Sequence, residues 1–532
     1  MDYLVHHLVW ASARRFPDQE AVAGAGERLT YRQFHEQVIG VGQGLRQAGV
    51  ARGERIGVLL EPGVPLAVSL FAISQAGGAF VPIHPSLLTE QVEHIARDCQ
   101  MSAIITTAAR WKELRPTLTQ IESLRFVVLV DGNPELEATV PEYAFAAWRD
   151  ERNCQPPGDL AIEKDLVAIL YTSGSTGKPK GVMLSHANLI AGASIVSEYL
   201  SITSSDRILA VLPFSFDAGL NQLMTAVQQG GACIMMKFLF AREIVAMLEK
   251  ERITGLAGVP SLWGLLAQPN SKLAQTKLEH LRYITNTGGA LPLSVLGRLR
   301  EALPSTQVFL MYGLTEAFRS TYLPPEELDR RPTSMGKAIP NTEILVINEQ
   351  GAECGPGEVG ELVHRGPTVS LGYWGRQDLT DRVLRPHPFA RPEIGDVERV
   401  CYSGDLVRKD EEGFLYFVGR RDNLIKSSGF RISPNEVEEG LCRCEGVREA
   451  AVIGLPDELL GQRIKAFVVP QEGHSLDVDD LLQQAATRLP RHMAPKAIEV
   501  LSELPKTSSG KIDYPALRRR EAESQPTSSA VS

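Results

Sequence analysis

The segment from Tyr171 to Gly181 contains the residue types that most directly suggest chemistry. It reads YTSGSTGKPKG, so four serine and threonine hydroxyls and two lysines accompany its glycines. Glycine lets a backbone approach phosphate oxygens closely, and hydroxyl and ammonium groups donate hydrogen bonds to them. An apolar run, 166–170, precedes the segment, and a helical pattern starts near His186. Because α/β sheets bind ligands where strands end, the sequence predicts a polyphosphate-binding loop here.

This loop differs from the Walker A phosphate loop. Gly174 and Gly177 are separated by only two residues, and proline follows Lys178 where Walker A has the Ser or Thr that binds magnesium. The alternative interpretation is a flexible Gly/Ser turn that binds nothing. Such turns rarely follow an apolar strand and carry this many donors, so we favour phosphate binding.

The elements that would position this loop alternate between β-rich apolar runs and helical patterns. Strand-like runs occur at 55–61, 80–84, 103–108, 166–173 and 207–214, and helical patterns at 65–77, 89–100 and 186–199. This alternation is typical of βαβ units around a mostly parallel sheet. Short apolar pieces between glycines follow at 351–373 and indicate a β-rich subdomain. We therefore expect an α/β fold whose large N-terminal part is a multi-subdomain α/β domain.

A small C-terminal domain is expected after the polar, glycine-bearing string 419–430, which we interpret as a linker. Helical patterns at 434–445 and 477–490 and strand-like runs at 449–456 and 463–470 predict a small, mobile α+β domain. The predicted organisation is an N-terminal domain at 1–419 with its β-rich subdomain at about 340–419, a hinge at 420–423, a C-terminal lid domain at 424–520 and a disordered tail at 521–532.

Composition limits the classes of partner. The net charge is −9, and no run of basic residues is present that would bind nucleic acid. The N-terminal MDYLVHHLVW lacks the pattern of a signal peptide, and no apolar run is long enough for a membrane span, so we expect a cytoplasmic protein. The seven scattered cysteines favour reduced thiols, and Cys442 and Cys444 lack the second pair that a zinc site needs.

Five further strings lie downstream of the loop. They are TGGALP (287–292), MYGLTEA (311–317), YSGDLV (402–407), GRRDNLIKSSGFRISPNEVEE (419–439) and PKTSSGKIDY (505–514). In this order, and together with the loop, they resemble the motifs of the adenylate-forming superfamily, which includes acyl-CoA synthetases, luciferases and nonribosomal-peptide adenylation domains. More narrowly, YGLTEAFRSTYLPPEELDRRP followed by GKAIPN resembles acyl-CoA ligases associated with exosortase A protein-sorting systems in bacteria.

The resemblance implies an ATP- and Mg²⁺-dependent reaction in which a carboxylate attacks the α-phosphate and pyrophosphate leaves. Because two anions meet, catalysis should consist largely of positioning and charge neutralisation. The nucleotide-binding residues that it implies are Thr172, Ser173, Gly174, Ser175, Thr176, Gly177 and Lys178 in the loop, Gly288, Gly289 and Gly313, Tyr312 stacked on adenine, and Asp405 with Arg420 at the ribose.

Two residues near the reacting phosphate follow from the same resemblance. Thr315 would contact the α-phosphate, and Glu316 would bind Mg²⁺. The alternatives remain that Glu316 is a glutamate at the start of a helix, favoured by the helix dipole, and that Asp405 merely forms a turn after Gly404.

The C-terminal domain would complete the site. By resemblance, Lys511 bridges the substrate carboxylate and the α-phosphate, and Arg431 lies near that phosphate. The family rotates this domain at a hinge, here Asp422, so that the segment around Gly429 faces the pantetheine of the thiol in the second half-reaction. The alternatives are that Lys511 is an ordinary solvated lysine near a disordered tail and that Asp422 is only a charged linker residue.

The segment 212–223, LPFSFDAGLNQL, lies where the family builds its acyl pocket. The implied pocket residues are Phe216, Asp217, Asn221, Thr287, Met311 and Arg319. A buried carboxylate needs a partner, so we hypothesise that Asp217 pairs with Arg319. Two alternatives stay open: Asp217 faces a substrate ammonium group, as in relatives that activate amino acids, or it caps the following helix.

The predicted function is activation of a carboxylic acid to an acyl-adenylate, followed by transfer to the thiol of coenzyme A with release of AMP. Coenzyme A is favoured as acceptor because no carrier-protein segment is appended. The alternative is an amino-acid-activating ligase that loads the phosphopantetheine thiol of an acyl carrier protein. A non-enzymatic nucleotide-binding protein is disfavoured, since Lys511, Asp405 and Glu316 are all present. We expect a small-molecule acid as partner and a monomer or homodimer.

Overall fold

A computed structural model describes residues 2–135, 137–150, 156, 158–173, 179–391, 393, 398–421, 424–427, 430–457, 461–490, 493–507 and 510–524. The chain divides into two compact units. The first comprises the described residues up to Ile344 together with those of His364–Cys401, and the second comprises those of Leu345–Val363 and those from Tyr402 onward. The predicted boundaries of domains and hinge stay predictions.

The helices of the described chain are α1 (Val5–Arg15), α2 (Tyr31–Gln47), α3 (Val64–Ala76), α4 (Thr89–Asp98), α5 (Ala108–Leu118), α6 (Phe145–Arg149), α7 (His186–Tyr199), α8 (Asp217–Gln229), α9 (Ala241–Lys250), α10 (Pro260–Leu266), α11 (Leu293–Ala302), α12 (Gln377–Val383), α13 (Pro434–Cys442), α14 (Val478–Arg488) and α15 (Tyr514–Ser524). Across the described residues, no helix combines the length and apolar character needed to cross a membrane.

The strands are β1 (Glu20–Gly24), β2 (Glu27–Thr30), β3 (Arg55–Leu59), β4 (Ala79–Pro82), β5 (Ala103–Thr106), β6 (Phe126–Leu129), β7 (Glu142–Ala144), β8 (Leu166–Ser173), β9 (Pro179–Ser185), β10 (Arg207–Ala210), β11 (Ala232–Met235), β12 (Gly255–Gly258), β13 (Tyr283–Asn286), β14 (Gln307–Leu314), β15 (Ala317–Leu323), β16 (Lys337–Ala338), β17 (Glu343–Ile347), β18 (Val359–Arg365), β19 (Gly372–Tyr373), β20 (Leu384–Pro386), β21 (Arg399–Lys409), β22 (Leu415–Arg420), β23 (Ile425–Ser427), β24 (Phe430–Ile432), β25 (Val447–Asp457), β26 (Gly461–Pro470) and β27 (Ala497–Val500).

The first unit contains two large, mostly parallel sheets, which confirms the α/β prediction. One has nine strands in the order β16-β15-β14-β13-β12-β10-β11-β1-β2, and the other has eight in the order β19-β9-β8-β4-β3-β5-β6-β7. Antiparallel pairing is confined to their ends, at β14–β15–β16, β1–β2 and β8–β9–β19. The carboxyl ends of the parallel strands β10, β12, β13 and β14 therefore share one edge, where α/β folds place ligands.

The main core takes side chains from both sheets and from helices α1, α2, α3, α7 and α8. Helix α3 illustrates why helices contribute to this core. Its sequence, VPLAVSLFAISQA, has no polar face, and every residue except Pro65 is buried. A helix that is apolar on all sides must be covered on all sides. This core fixes the strands whose ends carry the predicted site residues.

The second unit contains the antiparallel pair β21–β22 and a mixed sheet in the order β24-β23-β26-β25, with β27 on β26. Helices α13 and α14 pack on this sheet through Val437, Leu441 and Leu481. The α+β prediction is thereby confirmed for this part.

Two predictions for the second unit are corrected. Part of the string interpreted as a linker forms the hairpin β23–β24, because Ile425 and Ile432 pair in register and both are buried. The predicted tail is also wrong at its start. Helix α15 runs to Ser524, and Glu521 is buried against Lys465.

Candidate active site

The predicted phosphate loop lies in a hairpin between β8 and β9. Thr172 pairs in register with Lys180, and the hydroxyl of Tyr171 donates to Oδ2 of Asp98 at 2.6 Å. Strand β9, which the sequence did not predict, follows the loop and precedes α7. Gly174, Ser175, Thr176, Gly177 and Lys178 lie outside the described residues, as does the side chain of Ser173. Their roles stay predictions.

Thr315 and Glu316 form the turn that joins β14 to β15. The alternative that Glu316 starts a helix is therefore wrong. Both side chains are half-buried, and the hydroxyl of Tyr373 donates to Oε1 of Glu316. A carboxylate and a hydroxyl supply the hard oxygen donors that Mg²⁺ prefers, so this turn fits the metal that the motif implies.

Tyr373 connects this turn to the phosphate hairpin. It lies in β19, where it pairs with Val182 of β9, and its neighbour Trp374 donates its backbone N–H to the carbonyl of Gly181 at 2.8 Å. The sequence analysis did not identify Tyr373. Its only signal was the string GYW at the end of the β-rich stretch, which carries no indication of a partner 57 positions away.

The glycine-bearing segment after β13 lies at the ligand edge of the nine-stranded sheet. Thr287 donates its backbone N–H to the carbonyl of Gly258 at 3.0 Å, and Asn286 donates from its side chain to the carbonyl of Gly289 at 2.9 Å. Gly288 has φ +80°, a conformation that favours glycine. The segment is thus held across the ends of the neighbouring strands β12 and β13.

Tyr312 and Gly313 follow on the next strand, β14. Tyr312 is half-buried, and it pairs in register with Thr321 of β15. A Cβ atom at Gly313 would lie 3.0 Å from the backbone of Arg319, so only glycine fits this approach without movement. The structure therefore places Tyr312, Gly313 and the segment with Gly288 and Gly289, all predicted to bind the nucleotide, at the ends of adjacent strands.

A small cavity lies behind this edge, and it brings together three of the predicted pocket residues. Asn221, Met311 and Arg319 line it together with Thr225, Tyr283 and Thr285. Thr287 is close by, with its Oγ1 3.4 Å from Nη1 of Arg319. Phe216 and Asp217 do not line this cavity, since they lie at the amino end of α8.

The hypothesis that Asp217 pairs with Arg319 is wrong for this structure. Among the described residues, no carboxylate lies within ion-pair distance of Arg319. Asp217 is buried in the first turn of α8, where its Oδ1 accepts the backbone N–H of Ala218 at 2.8 Å. A carboxylate is stabilised there by free N–H groups and by the helix dipole. Of the interpretations considered, the helix-capping one agrees best with this contact.

Asp405 and Arg420 form an ion pair in the second unit. They are opposite each other on β21 and β22, and Nη1 of Arg420 is 2.9 Å from Oδ1 of Asp405. Asp405 is buried, and its backbone N–H bonds to Oγ of Ser403 at 3.0 Å. Asp405 is therefore part of a strand and not a plain turn residue.

Glu361 supports the backbone of β21 immediately before Asp405. This buried carboxylate accepts the backbone N–H of Gly404 at 3.0 Å through Oε1 and the guanidinium of Arg421 at 2.8 Å through Oε2. Gly404 has φ +71°, which favours glycine. Glu361 was not predictable, because a single glutamate in a glycine-rich stretch gives no signal.

Lys511 is exposed at the end of a tight loop in the second unit. Thr507 donates its backbone N–H to the carbonyl of Lys511 at 2.8 Å, and Lys506 and Ile512 form a β-bridge beside it. The side chain of Arg431 and the whole of Asp422 and Gly429 lie outside the described residues. The catalytic and hinge roles of these residues stay predictions.

Comparison with known proteins identifies the family. The AMP-binding enzyme family matches residues 9–374, and the AMP-binding enzyme C-terminal domain matches residues 436–511. The chain is 34% identical to a feruloyl-CoA synthase from Amycolatopsis, over 96% of this chain and 97% of that protein. It is 29% identical to a long-chain-fatty-acid–CoA ligase from Bacillus subtilis, over 96% and 92%. The narrower resemblance to exosortase A-associated ligases stays a prediction.

The fold also agrees with a solved structure. ATP-bound MatB from Rhodopseudomonas palustris superposes with a TM-score of 0.85 at 24% identity, covering 98% of this chain and 99% of that one. The chain therefore belongs to the AMP-binding enzyme family and is an AMP-forming ligase of the acyl-CoA synthetase type.

Proposed function

We propose that this protein converts a small carboxylic acid and ATP to an acyl-adenylate and then to the thioester of coenzyme A. The observation that carries this proposal is the link from Glu316 through Tyr373 to β9. It ties a potential metal-binding carboxylate to the hairpin whose loop has the composition of a triphosphate cradle. Family membership and the ordered motifs support the same reaction.

In the first half-reaction, an oxygen of the substrate carboxylate attacks the α-phosphorus of ATP. The bond from that phosphorus to the bridging oxygen breaks, and pyrophosphate leaves with the electron pair. Thr315 would donate to the α-phosphate, and Lys511 would neutralise the two anions as they meet. Mg²⁺ bound by Glu316 would offset phosphate charge. The buried carboxylate of Asp405 would accept hydrogen bonds from the ribose hydroxyls, with Arg420 holding it in place.

In the second half-reaction, the sulfur of coenzyme A attacks the acyl carbonyl. The thiol loses its proton, the carbon–oxygen bond to the phosphate breaks, and AMP leaves. Rotation of the second unit at Asp422 would exchange Lys511 for the segment around Gly429, so that the thiol reaches the carbonyl. A carrier-protein phosphopantetheine is the alternative acceptor, because it presents the same thiol.

Product identification by mass spectrometry tests this proposal. The purified protein is incubated with ATP, Mg²⁺ and a panel of fatty, aryl, dicarboxylic and amino acids, with either coenzyme A or a phosphopantetheinylated carrier protein. The expected products are AMP and an acyl-CoA from at least one acid. Acylation of the carrier protein alone would favour the alternative, and formation of ADP would contradict adenylate chemistry.

A further inference from the structure

Arg319 is an unusual residue in the wall of the acyl cavity. It is 95% buried and has φ +76°, a conformation uncommon for a residue with a side chain. The register of β14 and β15 shifts between Tyr312 and Leu314, so the backbone of Arg319 lies against Gly313. Such irregularities redirect a side chain relative to regular strand alternation. Here Arg319 lines the cavity.

Within the described part of the chain, the guanidinium of Arg319 has no charged partner. Its hydrogen bond to the hydroxyl of Thr287 is long, 3.4 Å from Nη1, and its buried Nε has no partner among the described residues. Across the cavity, the buried Oδ1 of Asn221 is also without a partner in the described chain. Buried polar groups are normally hydrogen-bonded, and buried charges are paired.

Asp217, which the sequence suggested as the partner of Arg319, makes a different contact. Its carboxylate binds the backbone N–H of Ala218, and it is not part of the cavity wall. The cavity thus presents a cation without a matching anion. Its volume is about 30 Å³, roughly two water-sized groups, which is enough for a carboxylate.

We propose that the acid activated by this protein carries a second, anionic group that pairs with Arg319. This inference rests on the proposed function, because it assigns the acyl end of the same substrate. The guanidinium donates two parallel hydrogen bonds to a carboxylate in the geometry that arginine prefers. An unbranched saturated monocarboxylic acid would leave Arg319 buried and unpaired, and it would therefore be a poor substrate.

The test compares matched acids of equal carbon number as probes. Butyric, hexanoic and octanoic acids are paired with succinic, adipic and suberic acids, and 4-methylbenzoic acid with terephthalic acid. The measurement is acid-dependent ATP–pyrophosphate exchange. Since a hydrogen bond to a charged group is worth about 1.5–3 kcal/mol, we expect kcat/KM to favour the better dicarboxylic acid by about tenfold or more. The wild-type comparison does not depend on whether any variant folds.

Two substitutions test whether Arg319 causes the preference for the dicarboxylic acid. Arg319→Met is expected to abolish the preference and to improve use of the monocarboxylic partner, whereas Arg319→Lys keeps the cation and should retain part of the preference. Arg298→Met, on the exposed face of α11, is the matched control and should leave the preference unchanged.

Wild-type preference for the monocarboxylic acid, or a preference that survives Arg319→Met, would overturn the inference and leave the proposed function standing. Exchange with no acid in the panel would instead contradict both this inference and the proposed function. Terephthalic acid alone as substrate would support the inference and restrict the substrate to aryl diacids.

Discussion

Asp405 and Arg420 face each other across β21 and β22, with Nη1 of the arginine 2.9 Å from Oδ1 of the carboxylate. The carboxylate side chain is 5% exposed and the guanidinium 48% exposed, so the pair joins a buried acceptor to a partly solvated cation. Because Arg420 binds one oxygen of the Asp405 carboxylate, the carboxylate is held in a defined orientation and can still accept hydrogen bonds. This arrangement agrees with the ribose-binding role proposed for Asp405.

Replacing Asp405 with asparagine is expected to weaken ATP binding. An amide offers one acceptor oxygen in place of two and leaves Arg420 without its counter-charge, so KM for ATP should rise by about tenfold to a hundredfold. Steady-state kinetics with ATP varied measures the effect. Asp410→Asn, in the turn at the other end of β21, is the control. An unchanged KM for ATP in Asp405→Asn would contradict the assigned role.

Glu316→Gln is expected to change the dependence on Mg²⁺. A neutral amide is a weaker ligand for a hard cation than a carboxylate, so a higher Mg²⁺ concentration should be needed for half-maximal pyrophosphate exchange. Tyr373→Phe, which removes the hydrogen bond to Glu316, should produce a smaller shift. Glu326→Gln, at an exposed position, serves as control. Identical Mg²⁺ titrations for Glu316→Gln and the control would argue against metal binding by this residue.

His364 should make stability depend on acid pH. Its ring is fully buried between Ser320 Oγ at 2.9 Å and Thr368 Oγ1 at 3.1 Å, and burial lowers its pKa from 6.5 to about 3. The unfolded chain takes up this proton near pH 6.5 and the folded chain does not. The free energy of unfolding therefore falls as the pH drops below 6.5, by up to about 1.4 kcal/mol per pH unit.

His364→Gln removes this contribution. Denaturant unfolding between pH 6.5 and pH 4 should show a shallower loss of stability than in the wild type, while His280→Gln, at an exposed position, should retain the wild-type slope. Equal slopes in all three proteins would mean that His364 is not kept neutral by burial.

Glu438 should have the opposite pH dependence. Its Oε1 accepts hydrogen bonds from Tyr514 and from the backbone of Val452, both at 2.8 Å, and burial raises its pKa from 4.5 to about 7. The folded chain holds a proton that the unfolded chain has lost, so this residue's contribution to stability is lost as the pH rises from 4.5 through 7.

Glu438→Gln keeps the accepting oxygen without the charge. We expect the variant to match the wild type at pH 5 and to exceed its free energy of unfolding at pH 8 by on the order of 2 kcal/mol. Glu445→Gln, at an exposed position near the end of α13, is the control. A variant that is no more stable than the wild type at pH 8 would rule out a buried, ionising Glu438.

The helices and strands that were predicted correctly are those encoded by neighbouring residues in the sequence. Strand β8 and helix α7 were expected at 166–173 and 186–199, where they occur. Ser185 explains the start of α7, because its Oγ accepts the backbone N–H of Asn188 at 3.1 Å in an N-cap. Caps and apolar runs are encoded in neighbouring residues, so they can be recognised without knowledge of the fold.

Features that depend on distant partners were not predictable. Strand β9 begins with Pro-Lys-Gly, which is typical of a loop, and it becomes a strand because it pairs with β8 and β19. The positive φ of Arg319 and the contact of Tyr373 with Glu316 likewise arise from packing between segments far apart in sequence. The prediction that Asp217 pairs with Arg319 was wrong for a similar reason. The sequence predicts that both residues lie near the pocket, but it does not determine which group each charged side chain contacts.

ATP–pyrophosphate exchange with Lys511→Ala tests whether this protein forms an acyl-adenylate with the help of Lys511. Wild-type protein should exchange labelled pyrophosphate into ATP only when a suitable acid is present. Loss of the cation that joins the two anions should lower that exchange by about a hundredfold or more, whereas Lys496→Ala, at an exposed position of the same unit, should exchange like the wild type. Acid-dependent exchange that is unchanged in Lys511→Ala would contradict the account.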